Sequence, residues 1–380
     1  LYRDVASGQA RIVIGTSSAL WLPFPTEPNV LVDQEESLSH QQTQRAPFLD
    51  VRVVLEDANV PVRWLTPAPS LRRWRSLQPP SPTPDQVRRL GRLDQGTLAP
   101  LVSAEAQDIP PGEVLWLLPR RGFSGSIRCQ DCGWHFSCPT CQRTLRWQTQ
   151  ASASASCGFC GQSAPIPTIC PNCHGSHIQV TGFSAERLRA SISSLDLPGP
   201  HHISSYHDIP PAVRPSTVVH VSGESLLQYN DFSAEERAWQ MVNRISARFP
   251  DAHHTVQTFH ADEPIWQAWV TGQASVWYQH ALDERQRLNL PPAVDAWMIH
   301  WRGANGAEQI NDIRQRIAKE CAGSLICLEA PTHQKTMQRV PRFRLMIAAN
   351  QGKKIRDYID WRTWFPAPWT IDMNPNGWLV

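Results

Sequence analysis

The chain has 380 residues, enough for two or three domains with cores of their own. Hydrophobic residues make up 41% and the formal net charge is +2, which excludes an extended disordered chain and leaves bulk charge too weak to argue for nucleic acid by itself. No run of about 18 or more apolar residues occurs, so no membrane-spanning helix is expected, and no signal peptide is visible.

The chain begins Leu1-Tyr2-Arg3 without an initiator Met and reads as the back part of a longer protein. Residues 10–16 (Ala-Arg-Ile-Val-Ile-Gly-Thr) predict a buried strand ending in a Gly turn. Val30-Leu31-Val32 predicts a second strand, followed by Asp33-Gln34-Glu35-Glu36. Residues 51–55 suit a helix or a strand, and Val62-Arg63-Trp64-Leu65 a strand. Such alternation points to a parallel α/β sheet. Residues 66–84 are rich in Pro and Ser and read as loop, and an Arg-rich helix is expected to follow with Arg88, Arg89 and Arg92. Val114–Leu118 predicts a buried strand leading into Arg120-Arg121-Gly122-Phe123. Ser184 is placed to cap a helix from about Ala185, and Thr217–Val221 reads as another strand. Ser233 and Glu236 form the pattern of a capping box opening a helix through about Ala247. Residues 265–288 are helical in pattern up to Pro291-Pro292, and the last 85 or so residues suggest a compact α+β domain.

Eight of the ten cysteines form four pairs: Cys129-x-x-Cys132, Cys138-x-x-Cys141, Cys157-x-x-Cys160 and Cys170-x-x-Cys173. Two residues between thiolates let both sulfurs of a tight turn face one point, which suits tetrahedral zinc. Four knuckles make two four-cysteine sites, closed and therefore structural, each folding a small insert that lacks a core. Spacing alone does not say which knuckles pair. A disulfide framework would need an oxidising compartment, and a redox pair would come singly. Cys321 and Cys327 read as ordinary thiols. His135, His174 and His177 lie nearby but are not needed as ligands.

The order of these pieces resembles the primosomal protein N′ (PriA) family, superfamily 2 helicases that restart stalled replication forks. Ile14-Gly15-Thr16-Ser17-Ser18-Ala19-Leu20 is similar to the family's I-G-T-R-S-A-L, and Leu31–Glu36 sits where it has V-D-E-E-H. Arg120-Arg121-Gly122-Phe123 resembles R-R-G-Y, and the eight-cysteine spacing is the family's own. Asp231–Arg237 is similar to D-F-R-A-x-E-R, and Leu282-Asp283-Glu284-Arg285 with Leu290-Pro291-Pro292 to L-x-E-R…L-P-P. Ile371–Pro375 resembles the terminal D-V-D-P. The resemblance implies an α/β protein: two reduced RecA-like lobes, a two-zinc insert in the second, and an α+β C-terminal domain. The expected divisions are 1–105 (remnant of lobe 1), 106–260 (lobe 2, with the zinc insert at 126–178) and 261–380 (a C-terminal domain binding DNA or partners). It further implies that Cys129, Cys132, Cys170 and Cys173 hold one zinc ion, and Cys138, Cys141, Cys157 and Cys160 the other.

The motor motifs depart from the family. No G-x-x-x-x-G-K-[ST] loop occurs in these residues. Asp33 keeps the metal-positioning place, but Gln34 replaces the expected catalytic Glu, beside Glu35; a neutral amide cannot take a proton from water. Glu36 replaces a His, and Pro67-Ala68-Pro69-Ser70 stands for S-A-T-P-S. No room remains before Asp231 for G-T-Q-M-L-A-K-G-H. In the segment that should read Q-x-x-G-R-x-G-R, Arg244 takes the Gln position, Arg248 matches one arginine, and Asp251 replaces the second, where an acid would repel a γ-phosphate. The resemblance is therefore to a degenerate, ATPase-deficient branch of the actinobacterial type, N-terminally truncated, with bound ATP and Mg²⁺ in doubt.

The expected function is a replication-restart protein that binds forked or single-stranded DNA and helps reload the replication machinery without ATP-driven unwinding. The alternative is an active 3′–5′ helicase whose phosphate loop lies upstream. Expected partners are DNA, primosome proteins and replicative-helicase-loading proteins, in the cytoplasm at the nucleoid, with no membrane. Arg120, Arg121, Arg128, Arg72 and Arg73 are the candidate DNA contacts. Arg342-Phe343-Arg344 has the arginine–aromatic mix suited to single strands, and reads equally as an ordinary β-strand.

Overall fold

The computed structural model describes residues 1–42, 49–58, 60–75, 87–92, 102–118, 125–129, 131–140, 145–147, 154–157, 162–181, 185–195, 197–227, 231–258, 260–303, 305–329, 342–350, 352–373 and 375. It is a mixed α/β structure whose regular elements fall into three successive units, with a small β insert in the second.

The first unit holds α1 (Tyr2–Ala6), β1 (Val30–Asp33), a two-residue hairpin of β2 (Gln41–Gln42) and β3 (Leu49–Asp50), α2 (Val51–Asp57), β4 (Val62–Leu65) and α3 (Leu71–Trp74). β1 and β4 pair in parallel, Val30 beside Val62 and Asp33 beside Leu65. Parallel neighbours need a crossover, and α2 supplies it. Asp50 caps α2 by accepting from the Arg52 amide at 2.9 Å. Val32, Val51 and Leu55 are the buried core.

The strand expected over 10–16 is not formed: Ile12 and Ile14 are 84% and 96% exposed, outside any regular element. A short apolar run becomes a strand only where an edge offers pairing, and no described strand pairs with it. The expected loop from residue 66 contains the helical turn α3, because Ser70 caps it, its hydroxyl accepting from the Arg73 amide at 3.2 Å. Residues 76–84 of that loop lie outside the described residues.

The second unit is built on a five-stranded parallel sheet. Its elements are β5 (Arg88–Arg92), α4 (Ala104–Gln107) and β6 (Val114–Leu118), then, after the insert, α5 (Ala185–Ser194), β12 (His201–Ser205), β13 (Thr217–His220), α6 (Gly223–Leu227), α7 (Ala234–Arg248), β14 (His253–Thr258), α8 (Pro264–Thr271) and α9 (Ala274–Arg287). The order is β12-β6-β13-β14-β5, with every pair parallel. A parallel sheet is covered on both faces, so its strands read as continuous apolar runs. β6 shows this: Leu115 and Leu117 face Val242, Trp266 and Trp269, while Val114, Trp116 and Leu118 face Leu188 and Ile192 of α5.

The Arg-rich segment at 88–92 is strand β5, not a helix. Its backbone pairs with the open edge of β14, Arg88 beside His254 and Arg92 beside Thr258. Charged residues suit a sheet edge, and Arg88 donates to the Trp269 carbonyl at 2.9 Å with its guanidinium over that indole. Pairing with a distant edge overrode local helix propensity. α7 starts where expected, but the capping box is not formed. Ser233 instead donates to Asp231 at 3.0 Å, and Glu236 is drawn into contacts with the first unit. The helix expected over 265–288 is two helices, since Gly272 takes a left-handed φ of 69° that ends α8.

The insert, between β6 and α5, is a five-stranded sheet of β7 (Gly125–Cys129), β8 (Arg146–Trp147), β9 (Ser154–Ser156), β10 (Ser163–Pro165) and β11 (Ile178–Thr181), in the order β10-β9-β8-β7-β11. The third unit has the expected α+β form: β15 (Ala296–Arg302), α10 (Gly306–Glu320), β16 (Leu325–Glu329), β17 (Arg342–Ala349), α11 (Trp361–Trp364) and β18 (Thr370–Asp372). Its antiparallel sheet runs β16-β17-β15-β18, and Ile310, Ile313 and Ile317 of α10 pack on Ile299, Leu345 and Ile347. Among the described residues no helix is long and apolar enough to cross a membrane.

Candidate metal centre and acidic motif

Cys129 ends β7, where the strand turns back, and Cys170 precedes the turn that leads to β11. The pairing of β7 with β11, Cys129 beside Ile178, brings the first and fourth knuckles together. Both close in the same way. The amide of Cys129 donates to the Trp134 carbonyl and that of Gly133 to Cys129; likewise Cys170 donates to Gly175 and His174 to Cys170. Gly133 and His174, at equivalent places, have φ of 75° and 60°, the left-handed turn that folds each knuckle back. A Cβ at Gly175 would press on the Asp131 carboxylate and force it to shift.

The four sulfurs of Cys129, Cys132, Cys170 and Cys173 lie within 4.8 Å of one another, with Cys129 to Cys173 at 3.6 Å and Cys132 to Cys170 at 3.7 Å. A tetrahedral zinc with Zn–S bonds of about 2.3 Å sets its sulfurs about 3.8 Å apart. This group could therefore hold a metal ion, and four thiolates are the donor set that zinc takes. Cys129 and Cys170 are buried, Cys132 and Cys173 exposed. The Asn172 amide donates to the Cys132 sulfur at 3.4 Å; this bond, then the Trp134 backbone amide, draws the Cys132 thiol down to about 6.

Of the other four cysteines, Cys138 and Cys157 are buried in the insert's small core with Ile127, Leu145 and Ala155. The Cys157 amide donates to the Gln162 carbonyl at 2.8 Å, the closure seen at Cys129 and Cys170. Cys141 and Cys160 lie outside the described residues, as do Arg120 and Arg121. Arg128 is on β7 beside Gln179 of β11, its guanidinium over the Gly133 turn. Cys321 is a buried thiol raised by burial, and Cys327 is raised by burial to about 11.

The acidic motif follows β1 at the carboxyl end of the parallel pair, where α/β sheets place ligand-facing residues. Asp33 is exposed, and Gln34 turns the chain with φ of 50°. The next two carboxylates point inward. Glu35 is 1% exposed and accepts from both the Ser70 amide (2.8 Å) and the Ser70 hydroxyl (2.7 Å), while its carbonyl accepts from Arg52 at 2.9 Å. Burial raises the Glu35 carboxyl above the usual range against the opposing pull of Ser70 and Arg52. Glu36 accepts from the Thr66 hydroxyl at 2.7 Å and from Arg244 of α7 at 3.2 Å.

Arg248, at the end of α7, donates to the Ile209 carbonyl at 3.3 Å and lies over the Phe249 ring, both within its own unit. Arg73 pairs with Glu56 and stacks 3.9 Å over Trp64, within the first unit. Arg72 lines a cavity with Glu36, Arg52, Ser70, Glu236 and Arg285, where the three units meet. The sequence did not single out Thr66, Glu236, Tyr278 or Arg285 as site residues. The only signal was that Glu36 and Arg244 both depart from the expected motifs, at places the structure brings together.

No family model matches the chain. It is similar to the replication restart protein PriA of Synechocystis sp., 23% identical over 390 residues covering 84% of this chain and 46% of that protein. It is likewise similar to the replication restart protein PriA of Haemophilus influenzae, at 25% over 75% of this chain and 46% of that one, and of Bacillus subtilis, at 22% over 77% and 43%. The chain thus spans about half the length of the curated relatives it matches. Each of these matches takes in three quarters or more of the chain, so the chain is similar to replication restart protein PriA over most of its length.

Proposed function

We propose that this chain serves replication restart as a DNA-binding and partner-binding protein that does not unwind DNA with ATP. It would recognise forked or single-stranded DNA at the nucleoid and help reload the replication machinery with primosome and helicase-loading proteins. Its first two units would be reduced helicase lobes. ATP and Mg²⁺ have no assigned role. One observation carries this reading: Glu35 and Glu36 spend their carboxylate oxygens on Ser70, Thr66 and Arg244, and the residue beside them is the amide Gln34. Both carboxylates are buried and turned inward by these bonds, away from the solvent-facing place where a water would be oriented for attack on phosphate.

Two zinc ions belong to the same proposal. Cys129, Cys132, Cys170 and Cys173 would hold one, supported by their sulfur spacing. Cys138, Cys141, Cys157 and Cys160 would hold the other, supported by the burial of Cys138 and Cys157 and by the knuckle closure at Cys157. Both would be structural, fixing an insert that presents Arg128 to DNA.

The test uses the full-length protein with a forked DNA. Binding that weakens steeply with salt is expected, with ATP turnover no higher than that of an Asp33→Ala control. DNA-stimulated turnover above that control would establish the active helicase instead.

A further inference from the structure

The segment from Thr66 to Arg75 belongs to the first unit in chain order but buries its apolar side chains in the second. Ala68 and Leu71 are each 1% exposed, in one core with Trp239 of α7 and Trp277 and Tyr278 of α9. Trp74 lies flat on Tyr278, ring centroids 3.9 Å apart and 7° from parallel. The Tyr278 hydroxyl donates to the Pro69 carbonyl at 2.7 Å, and Arg75 to the Pro292 carbonyl at 2.9 Å. The start of α3 is capped across the junction: the Leu71 amide donates to Glu236 of α7 at 2.8 Å. Arg285 of α9 holds that carboxylate from the other side at 3.2 Å and donates to the Pro291 carbonyl at 2.6 Å.

The acidic motif is tied to the same strap. Glu35 grips Ser70, the cap of α3, through both oxygens. Glu36 bridges Thr66 at the start of the strap and Arg244 on α7. The Glu36 side chain is fully buried while Arg244 reaches it from a half-exposed position, so the ion pair closes the rim of the junction. A buried carboxylate without its guanidinium would be left short of a partner, which makes separation of the units unfavourable. Carboxylate, hydroxyl, aromatic and apolar contacts therefore all cross one seam.

We propose that the acidic motif and residues 66–75 form a fixed joint that docks the β1–β4 unit onto α7 and α9, so that the two units behave as one rigid body in place of a hinge worked by nucleotide. The inference takes its functional meaning from the non-motor reading above, and its structural content from these contacts alone.

Hydrogen exchange on the full-length protein tests it, with β16 and β17 as the internal reference. In Arg244→Gln, amides of 30–33, 51–57 and 62–65 should exchange about tenfold faster or more, while the reference strands stay unchanged. The double variant Glu36→Gln/Arg244→Gln should be no worse than the more damaging single, because both remove one shared contact. Tyr278→Phe, which keeps the stack on Trp74 and removes one hydrogen bond, should loosen the same amides to a smaller degree and serves if the charge variants do not fold. Adenylyl-imidodiphosphate with Mg²⁺ should leave the wild-type pattern unchanged. Unaltered exchange in both Arg244→Gln and Tyr278→Phe, or a change in residues 30–36 and 66–75 on adding that nucleotide, would overturn the joint. ATP turnover separates the two ideas: turnover with a rigid seam refutes the non-motor reading, and a loose seam without turnover refutes the joint.

Discussion

The cysteine insert and the β1–β4 unit face the same physical difficulty and solve it differently. Each has a very small core: Ile127, Leu145 and Ala155 with two cysteines in one, Val32, Val51 and Leu55 in the other. Neither buries enough apolar surface to be stable by itself. The insert draws the sulfurs of Cys129, Cys132, Cys170 and Cys173 to one point, a local solution written in paired cysteines. The β1–β4 unit leans on its neighbour through charges and a strap, a solution spread over contacts more than 160 residues apart. Local cross-linking leaves a spacing in the sequence; long-range docking leaves none.

The largest expected effect breaks the first solution alone. If the two proposed zinc sites are present, Cys170→Ala should lower bound zinc from two ions per chain to one, as read by metal analysis, and unfold β7 and β11 without loosening β1 and β4. Structural zinc contributes about 10–16 kcal/mol of apparent binding energy in small zinc modules at neutral pH. Loss of both ions from this variant would mean that the two sites fold as one unit.

A pH titration examines the sheet that carries both regions. His220 and His254 are fully buried in β13 and β14. Burial holds His220 well below its usual value, and burial, against a hydrogen bond to Phe249, holds His254 down at about 4. Both are neutral when folded but protonate near pH 6.5 when unfolded. The unfolded chain therefore binds more protons below that pH, so stability is full above about 6.5 and falls as pH drops towards 4. For His254 alone the loss is roughly 3 kcal/mol. Denaturant midpoints from pH 8 to 4 should follow this curve, and a flatter one in His254→Gln would assign it.

Arg285→Ala addresses the second solution. It leaves Glu236 and the Pro291 carbonyl short of a donor in a buried setting, at a cost of about 3 kcal/mol. Thermal unfolding should show the loss while metal content stays unchanged. The smallest change sharpens the comparison furthest: Tyr278→Phe should cost about 1 kcal/mol, with no effect on the insert. An equal effect on the insert would mean that the two regions are coupled.

The four CxxC pairs, the apolar runs at Val114–Leu118 and Thr217–His220, and the α+β end of the chain were legible in the sequence, because each is set by neighbouring residues. Arg88–Arg92 misled, since its strand exists only through the edge of β14. Residues 10–16 misled in the opposite sense, having a strand's composition but no paired edge. The capping box misled because Ser233 and Glu236 found partners outside their helix. Around the acidic motif, the sequence showed that Gln34 could not act as a base, but left Glu35 and Glu36 without a role.

By itself, then, the sequence determined the donor chemistry of the cysteine cluster and the presence of an amide, Gln34, among the acids that follow β1. Ligand type and charge belong to single residues, and their spacing survives in one dimension. Only the tertiary structure decided where the acids point, which knuckle meets which, and that the segment after β4 docks on α7 and α9. Those outcomes depend on which distant surfaces meet, and burial then fixes which polar groups must find a partner.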